Sequence, residues 1–164
     1  MKILVFSDSH NNPTRMDEAI KAQMKHGLDY VFFLGDGITD FDRVRAKYPG
    51  PEYHGVLGNC DTYSYRDEGV WEQSVDVDGR KFLLMHGHRY GVKTSIQPAV
   101  DHAIARGADV LLYGHTHEKC DLTLDGSNGG SVRVINPGSV GAWYGGSFAL
   151  IETVGENIIC GFGE

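Results

Sequence analysis

"KILVFSDSHNNPTRMDEAIKAQMKHGLDYVFFLGD", residues 2–36, decides the fold. Two runs, KILVF (2–6) and YVFFL (30–34), are continuously apolar after their first residue. Strands covered on both faces read this way. Between them Met16, Ala19, Ile20 and Met24 recur at helical spacing. Asn12 suits the N-cap, Pro13 the first helical position and Gly27 the C-terminal exit, so a helix is expected from Pro13 to about His26. A strand, a helix and a second strand joined this closely predict a right-handed crossover between parallel strands.

The same reading extends in the C-terminal direction. Phe41, Val44 and Tyr48 mark a shorter helix that Pro49 ends. YHGVL (53–57) reads as a third strand. SVDVDGRKFLLM (74–85) alternates, turns at Asp78-Gly79 and becomes wholly apolar, which predicts a hairpin. Ile96 to Ala105 is an expected helix closing at Gly107, with Pro98 tolerated in its first turn. DVLLY (109–113) is another buried strand. After it only strands are expected, at 121–124, 131–135, 147–154 and 157–160, with DGSNGG (125–130) as a hairpin loop. Alternating βαβα followed by an antiparallel meander predicts an α/β (α+β) chain of two packed sheets with helices outside. No repeat, low-complexity tract or linker interrupts it, and 164 residues fit one domain over 1–164.

Composition excludes some functions. Fifteen basic against 22 acidic side chains leave a net charge of −7, which repels nucleic-acid phosphates and anionic membranes. No apolar run approaches the length of a membrane span. The N-terminus turns polar at Ser7, too soon for a signal-peptide core. Cys60, Cys120 and Cys160 are odd in number and widely spaced, with no CxxC pair. That pattern fits a reducing, cytoplasmic setting without disulfides.

Each buried strand is followed by potential metal ligands. KILVF leads into Ser7-Asp8-Ser9-His10, and YVFFL into Gly35-Asp36-Gly37. YHGVL leads into Gly58-Asn59-Cys60-Asp61, FLLM into His86-Gly87-His88, and VLLY into Gly114-His115-Thr116-His117. Any single Asp or His here reads as a solvated loop residue. Five loops together do not, because ending a strand calls for no imidazole. In α/β sheets ligands bind at the carboxyl ends of strands, so parallel neighbours would gather these loops at one edge. A mixture of carboxylate, amide and imidazole differs from a closed cysteine-rich zinc site. Seven donors exceed the needs of one ion with an open position and suit two ions about 3.5–4 Å apart sharing a carboxylate. Two such ions would activate a bridging water as hydroxide for attack on phosphorus, which is metal-assisted phosphoester hydrolysis.

The ordered set Asp8-Ser-His10, Gly35-Asp36, Gly58-Asn59-x-Asp61, His86 and Gly114-His115-Thr-His117 resembles the calcineurin-like metallophosphoesterases. The chain is most similar to their small bacterial and archaeal phosphodiesterase branch, from Met1 to about Val140, including NPGSV at 136–140. The resemblance implies a four-layer sandwich of two mixed sheets flanked by helices. It implies that Asp8, His10 and His117 hold one metal, that Asn59, His86 and His115 hold a second, and that Asp36 bridges the two. Ser9 and Thr116 are then spacers. Two divalent ions are expected, manganese first, with iron, zinc or nickel as alternatives. The implied substrate is a small phosphodiester, with no nucleic acid and no membrane as partner. Both a monomer and a homo-oligomer stay open.

One departure bears on catalysis. Cys60 stands where the family usually has a histidine that protonates the leaving group. A neutral thiol can donate a proton, but cations nearby favour the thiolate, which cannot. Weak activity is therefore expected unless the leaving group is good. His88 is the alternative acid, with a structural loop role weighed equally against it. Asp61 would normally orient the missing histidine. Asn11 stands where the family often has glycine, and Asn12 matches its asparagine. No rim motif names the substrate-binding residues. Arg89 and Tyr90 are expected at the surface, Cys120 and Cys160 as packing residues. For Trp71 and Trp143, packing or a subunit interface is favoured over substrate contact. Two other classes compete with the enzyme: a scaffold on the same fold, like the retromer subunit that shares this architecture, and a nuclease, which the acidic charge disfavours.

Overall fold

A computed structural model describes residues 1–61 and 69–164. In chain order the first half holds β1 (Lys2–Phe6), α1 (Thr14–Met24), β2 (Tyr30–Phe33), α2 (Ile38–Arg45), β3 (Glu52–Gly55), β4 (Glu72–Val77) and β5 (Arg80–Met85). The second half holds α3 (Gln97–Ala105), β6 (Val110–Leu112), β7 (Cys120–Asp125), β8 (Ser131–Asn136), β9 (Phe148–Val154) and β10 (Asn157–Gly163). The strands form two five-stranded sheets, ordered β10-β9-β1-β2-β3 and β4-β5-β6-β8-β7.

Residue parity builds four layers from the apolar runs. Ile3 and Val5 of β1 face the other sheet and pack in one cluster with Phe32, Phe82, Leu84, Val110 and Ile135. Leu4 and Phe6, on the opposite face, pack with Met16, Ile20, Phe41 and Val44 of α1 and α2. Leu83, Leu111 and Val134 of the second sheet pack beneath Val100 and Ala103 of α3. A strand buried on both faces has no polar side to display, which explains the unbroken apolar runs.

β1, β2 and β3 run parallel, as the crossover rule requires. β5, β6 and β8 run parallel in the second sheet. Asp78 and Gly79 both take positive φ (50° and 72°), the geometry of a two-residue hairpin turn, between β4 and β5. The late strands are not one meander. β7 and β8 pair as a hairpin in the second sheet, while β9 and β10 pair in the first, with β9 antiparallel to β1. Both patterns alternate alike in sequence, and only long-range pairing separates them. The Asn12 cap is also corrected. α1 starts at Thr14 without a side-chain cap, and Asn12 Nδ2 instead donates to Gly141 O at 3.0 Å. Among the described residues no helix is long and apolar enough to cross a membrane.

Candidate metal centre

The loops after β1, β2, β3, β5, β6 and β8 meet at one edge of the sandwich. Asp8 N donates to Gly35 O at 2.9 Å, Gly114 N to His86 O at 3.1 Å, and Val140 N to Ser7 O at 2.9 Å. Five of these loops carry the donors read from the sequence. The sixth, after β8, carries NPGSV and supports them from behind.

The seven donors separate into two groups. Asp8, His10 and His117 place ligand atoms within 4.8 Å of one another. His117 Nε2 lies 3.1 Å from Asp8 Oδ1 and 3.3 Å from His10 Nε2. Asp36, His86 and His115 form a second such group, with His86 Nε2 3.4 Å from Asp36 Oδ2 and 3.1 Å from His115 Nδ1. Asn59 Oδ1 joins it at 3.2 Å from His86 Nε2. The two imidazoles of His115-Thr-His117 thus serve different groups. Thr116 between them accepts a hydrogen bond from Asn136 Nδ2 at 3.0 Å through Oγ1.

His86 shows what the site lacks. Its Nδ1 donates to the carbonyl of Leu34 at 2.7 Å. In the neutral ring, Nε2 is then a lone pair facing an amide oxygen, a carboxylate oxygen and a second imidazole nitrogen. The amide and carboxylate oxygens can only accept, so the group is completed by a shared cation or by protons on its rings. A ring held by a backbone carbonyl behind and open in front is a common arrangement of metal-bound histidine. The donor set therefore fits divalent ions.

In the protein alone, Asp36 and His86 hold each other charged. Burial by itself would raise the Asp36 carboxyl, but the hydrogen bond and charge of His86 outweigh it and hold Asp36 well below the usual carboxylate range. Burial by itself would lower His86, and Asp36 with Asp8 raises it above the ordinary imidazole value. Burial, reinforced by His86 and Lys93, pushes His115 down to about 4, so its ring stays neutral and ready to coordinate.

The backbone is bent to aim these groups. Asp8, His10, Asp36, His115 and His117 all have φ between 46° and 68°. This left-handed region is uncommon for non-glycine residues and costs about 1–3 kcal/mol at each position. Gly58 and Gly114 permit the close packing of loops behind the donors. A Cβ on Gly58 would overlap Asp36 Oδ1, and one on Gly114 would overlap Ser7 Oγ.

The model of the calcineurin-like phosphoesterase superfamily domain matches residues 1–156. The chain belongs to that superfamily. A "Probable metallophosphoesterase" of Mycoplasma pneumoniae is 34% identical over 144 residues, covering 85% of this chain and 79% of its own length. A phosphodiesterase of Methanocaldococcus jannaschii is 28% identical over 167 residues, covering 94% and 91%. The solved structure of vacuolar protein sorting 29 from Cryptosporidium parvum superposes with a TM-score of 0.72 at 18% identity, covering 98% and 96%, and shares the fold.

For a calcineurin-like chain, the Cys60 departure is now located. Cys60 Sγ, a ring nitrogen of His10 and a carboxylate oxygen of Asp36 lie within 4.8 Å of one another. Cys60 is exposed, and its backbone N–H donates to Asp36 Oδ1 at 2.7 Å. Burial of its sulfur, and the charges of Asp36, Asp61 and Asp8, push the thiol up to about 11. Without bound ions it is a neutral thiol facing the site. His88 borders the other group, with ring centroids 5.3 Å from His86, 6.1 Å from His115 and 5.6 Å from Trp71. Its Nδ1 is buried and has no hydrogen-bond partner among the described residues. Burial and the neighbouring His86 charge lower its pKa.

The partners of several supporting residues, among them Asp61 and Ser9, escaped the sequence reading. Asp61 accepts the amides of Asp36, Gly37, Ile38 and Gly58 at 2.8–3.0 Å. Ser7 Oγ donates to Asp8 Oδ2, and Ser9 Oγ donates to Asp40 Oδ2 at 2.7 Å. Asn136 Nδ2 donates to Gly114 O at 3.1 Å. Short polar residues at strand ends were the available signal, but nothing local names their partners. Tyr90 donates to Glu72 at 2.7 Å, and the Arg89 guanidinium lies 5.3 Å from the Trp71 ring centroid. Trp71 packs against the core, whereas Trp143 is 88% exposed.

Proposed function

We propose that this chain is a dinuclear-metal phosphoesterase acting on small phosphodiesters. One observation carries the reading: two groups of oxygen and nitrogen ligand atoms converge around Asp36. Asp8, His10 and His117 would hold one ion, Asn59, His86 and His115 the other, and Asp36 would serve both. Ions held there supply Lewis acidity and an activated water at neutral pH. The protein's own part is positional. Leu34 O fixes the His86 ring, Asp61 fixes the Asp36 loop, and the depressed His115 leaves that ring unprotonated. Cys60 is a proton-bearing group beside the site that is not one of the seven donors, and a thiol is a poor general acid near cations. That favours esters whose leaving group departs without protonation.

The phosphodiesterase name of the 28% identical archaeal relative supports the diester preference. The acidic charge supports small substrates over nucleic acid. Carboxylate, imidazole and amide ligands support manganese, and unpaired cysteines support a cytoplasmic setting. The test is metal-depleted protein assayed on an activated aryl phosphodiester. It should be inactive, and manganese should restore turnover. Asp36→Asn and His86→Ala should each lower the restored rate by at least about a hundredfold, the scale on which disturbing metal sites acts. Full metal occupancy with no turnover on any phosphoester would instead favour a scaffold.

A further inference from the structure

The segment between β8 and β9 holds two large aromatic side chains in solvent. Trp143 is 88% and Tyr144 96% exposed. The segment is nonetheless pinned on both sides of these aromatics. Ser147 Oγ donates to Pro137 O at 2.7 Å, and Ser147 N to Ser139 O at 3.0 Å. Arg15 Nη1 donates to Val140 O at 2.7 Å and to Ala142 O at 3.2 Å. Gly141 N donates to Asp8 O at 3.2 Å, which ties the segment to a metal-site loop. Gly141 lies so close that a Cβ there would overlap Ser9 O.

Trp143 and the metal centre share one cavity of about 460 Å³, lined also by His10, Asn11, Gly141, Ala142 and His117. That volume falls within the range of small-ligand pockets. An indole on a short stretch anchored at Ala142 and Ser147 has less chain to order when it receives a flat ring than one on a free loop. Asn11, beside it, has φ 65° and an exposed amide. It stands where the family often has glycine, so this chain places a polar group at the rim.

We propose that Trp143 is a specificity-determining residue that stacks on a planar aromatic group of the substrate, such as a nucleobase, while the phosphate sits at the metal centre. Asn11 faces the edge of that group. The proposal rests on the phosphoesterase reading above and names its substrate class: phosphoesters bearing a ring.

The experiment uses the full chain carrying W71F, so that Trp143 is the only tryptophan. Manganese-loaded protein is titrated with adenosine 5′-monophosphate, phenyl phosphate and ribose 5-phosphate, with indole fluorescence and calorimetric affinity as readouts. The nucleotide should quench Trp143 and bind about tenfold tighter than ribose 5-phosphate, within the range for stacking of a base on an aromatic side chain. W143A should remove that difference and W143F should keep most of it. N11G should weaken the nucleotide but not phenyl phosphate, which separates a base from any aryl ring. Equal affinities for nucleotide and ribose 5-phosphate in a protein that still hydrolyses aryl diesters would overturn the stacking role alone. No binding and no hydrolysis with metal would overturn both readings. Self-association that W143A abolishes, without discrimination among the ligands, would assign Trp143 to a contact between copies and overturn the proposal.

Discussion

The Asp61 carboxylate accepts the Asp36 amide at 2.8 Å, so one buried acid sets the backbone of another. The same carboxylate takes the amides of Gly37, Ile38 and Gly58, which joins the loops after β2 and β3. Asp61 thus fixes the loop that presents Asp36, even though the histidine it would orient in relatives is a cysteine here.

Asp61→Asn turns an amide nitrogen towards backbone donors and leaves some of them unpaired. Stability should fall by about 1–3 kcal/mol. Metal affinity should weaken by about 10–100-fold, as when residues behind metal ligands are changed. Calorimetric metal titration checks this, and an unchanged affinity would remove Asp61 from the design of the site.

Cys60→His supplies a group with a pKa near neutrality where the thiol stands. General acids contribute about 10²–10⁴-fold, so esters with alkyl leaving groups should gain at least about tenfold in kcat. A 4-nitrophenyl ester, which departs without protonation, should gain much less. Rates compared across leaving groups of graded basicity provide the measurement. A uniform gain would show that Cys60 hinders binding and is not a weak acid.

Glu72, opposite Met85 across the β4–β5 ladder, gives a pH signature outside the donor set. It accepts from Tyr90 at 2.7 Å and lies 2.8 Å from His102 Nε2. Burial alone would raise its pKa, but these two hydrogen bonds outweigh burial and lower it. A carboxyl depressed in the folded state stabilises above its unfolded value, near about 4.3, and that stabilisation fades as pH falls through the folded value. Glu72→Gln should therefore cost about 1–2 kcal/mol at pH 7. The gap in Tm should close below about pH 4. A gap that is constant from pH 7 to pH 3 would show that Glu72 acts through packing.

Much of the site was legible because its donors sit at positions that strand periodicity marks. Asp8, Asp36, His86 and His115 each lie within a few residues of an unbroken apolar run, and an apolar run locates its own end. Partners distant in sequence were not legible. Asp61 could not be matched to the amides of Gly37 and Ile38, nor Asn136 to Gly114, because nothing local encodes those contacts. The same limit hid the division of the last four strands between two sheets. β7 to β10 alternate in similar ways, and only their pairing with β6 and β1 tells them apart. The Asn12 cap failed for a related reason. Its amide had a choice between a local helix end and Gly141, far along the chain, and took the distant one.

The donors run from Asp8 to His117, about two thirds of the chain, and the loop that braces them lies later still, at residues 136–141. A nascent polypeptide leaving the ribosome carries Asp8 and His10 long before His115 and His117 have been synthesised. Domains fold largely as units, and this one cannot complete its first sheet until β9 is made and pairs with β1. On the metal-centre reading proposed above, metal acquisition would therefore be a late event, following completion of the first sheet. A chain stalled before residue 117 holds only fragments of the donor set, and metal uptake would then report that both sheets have come together.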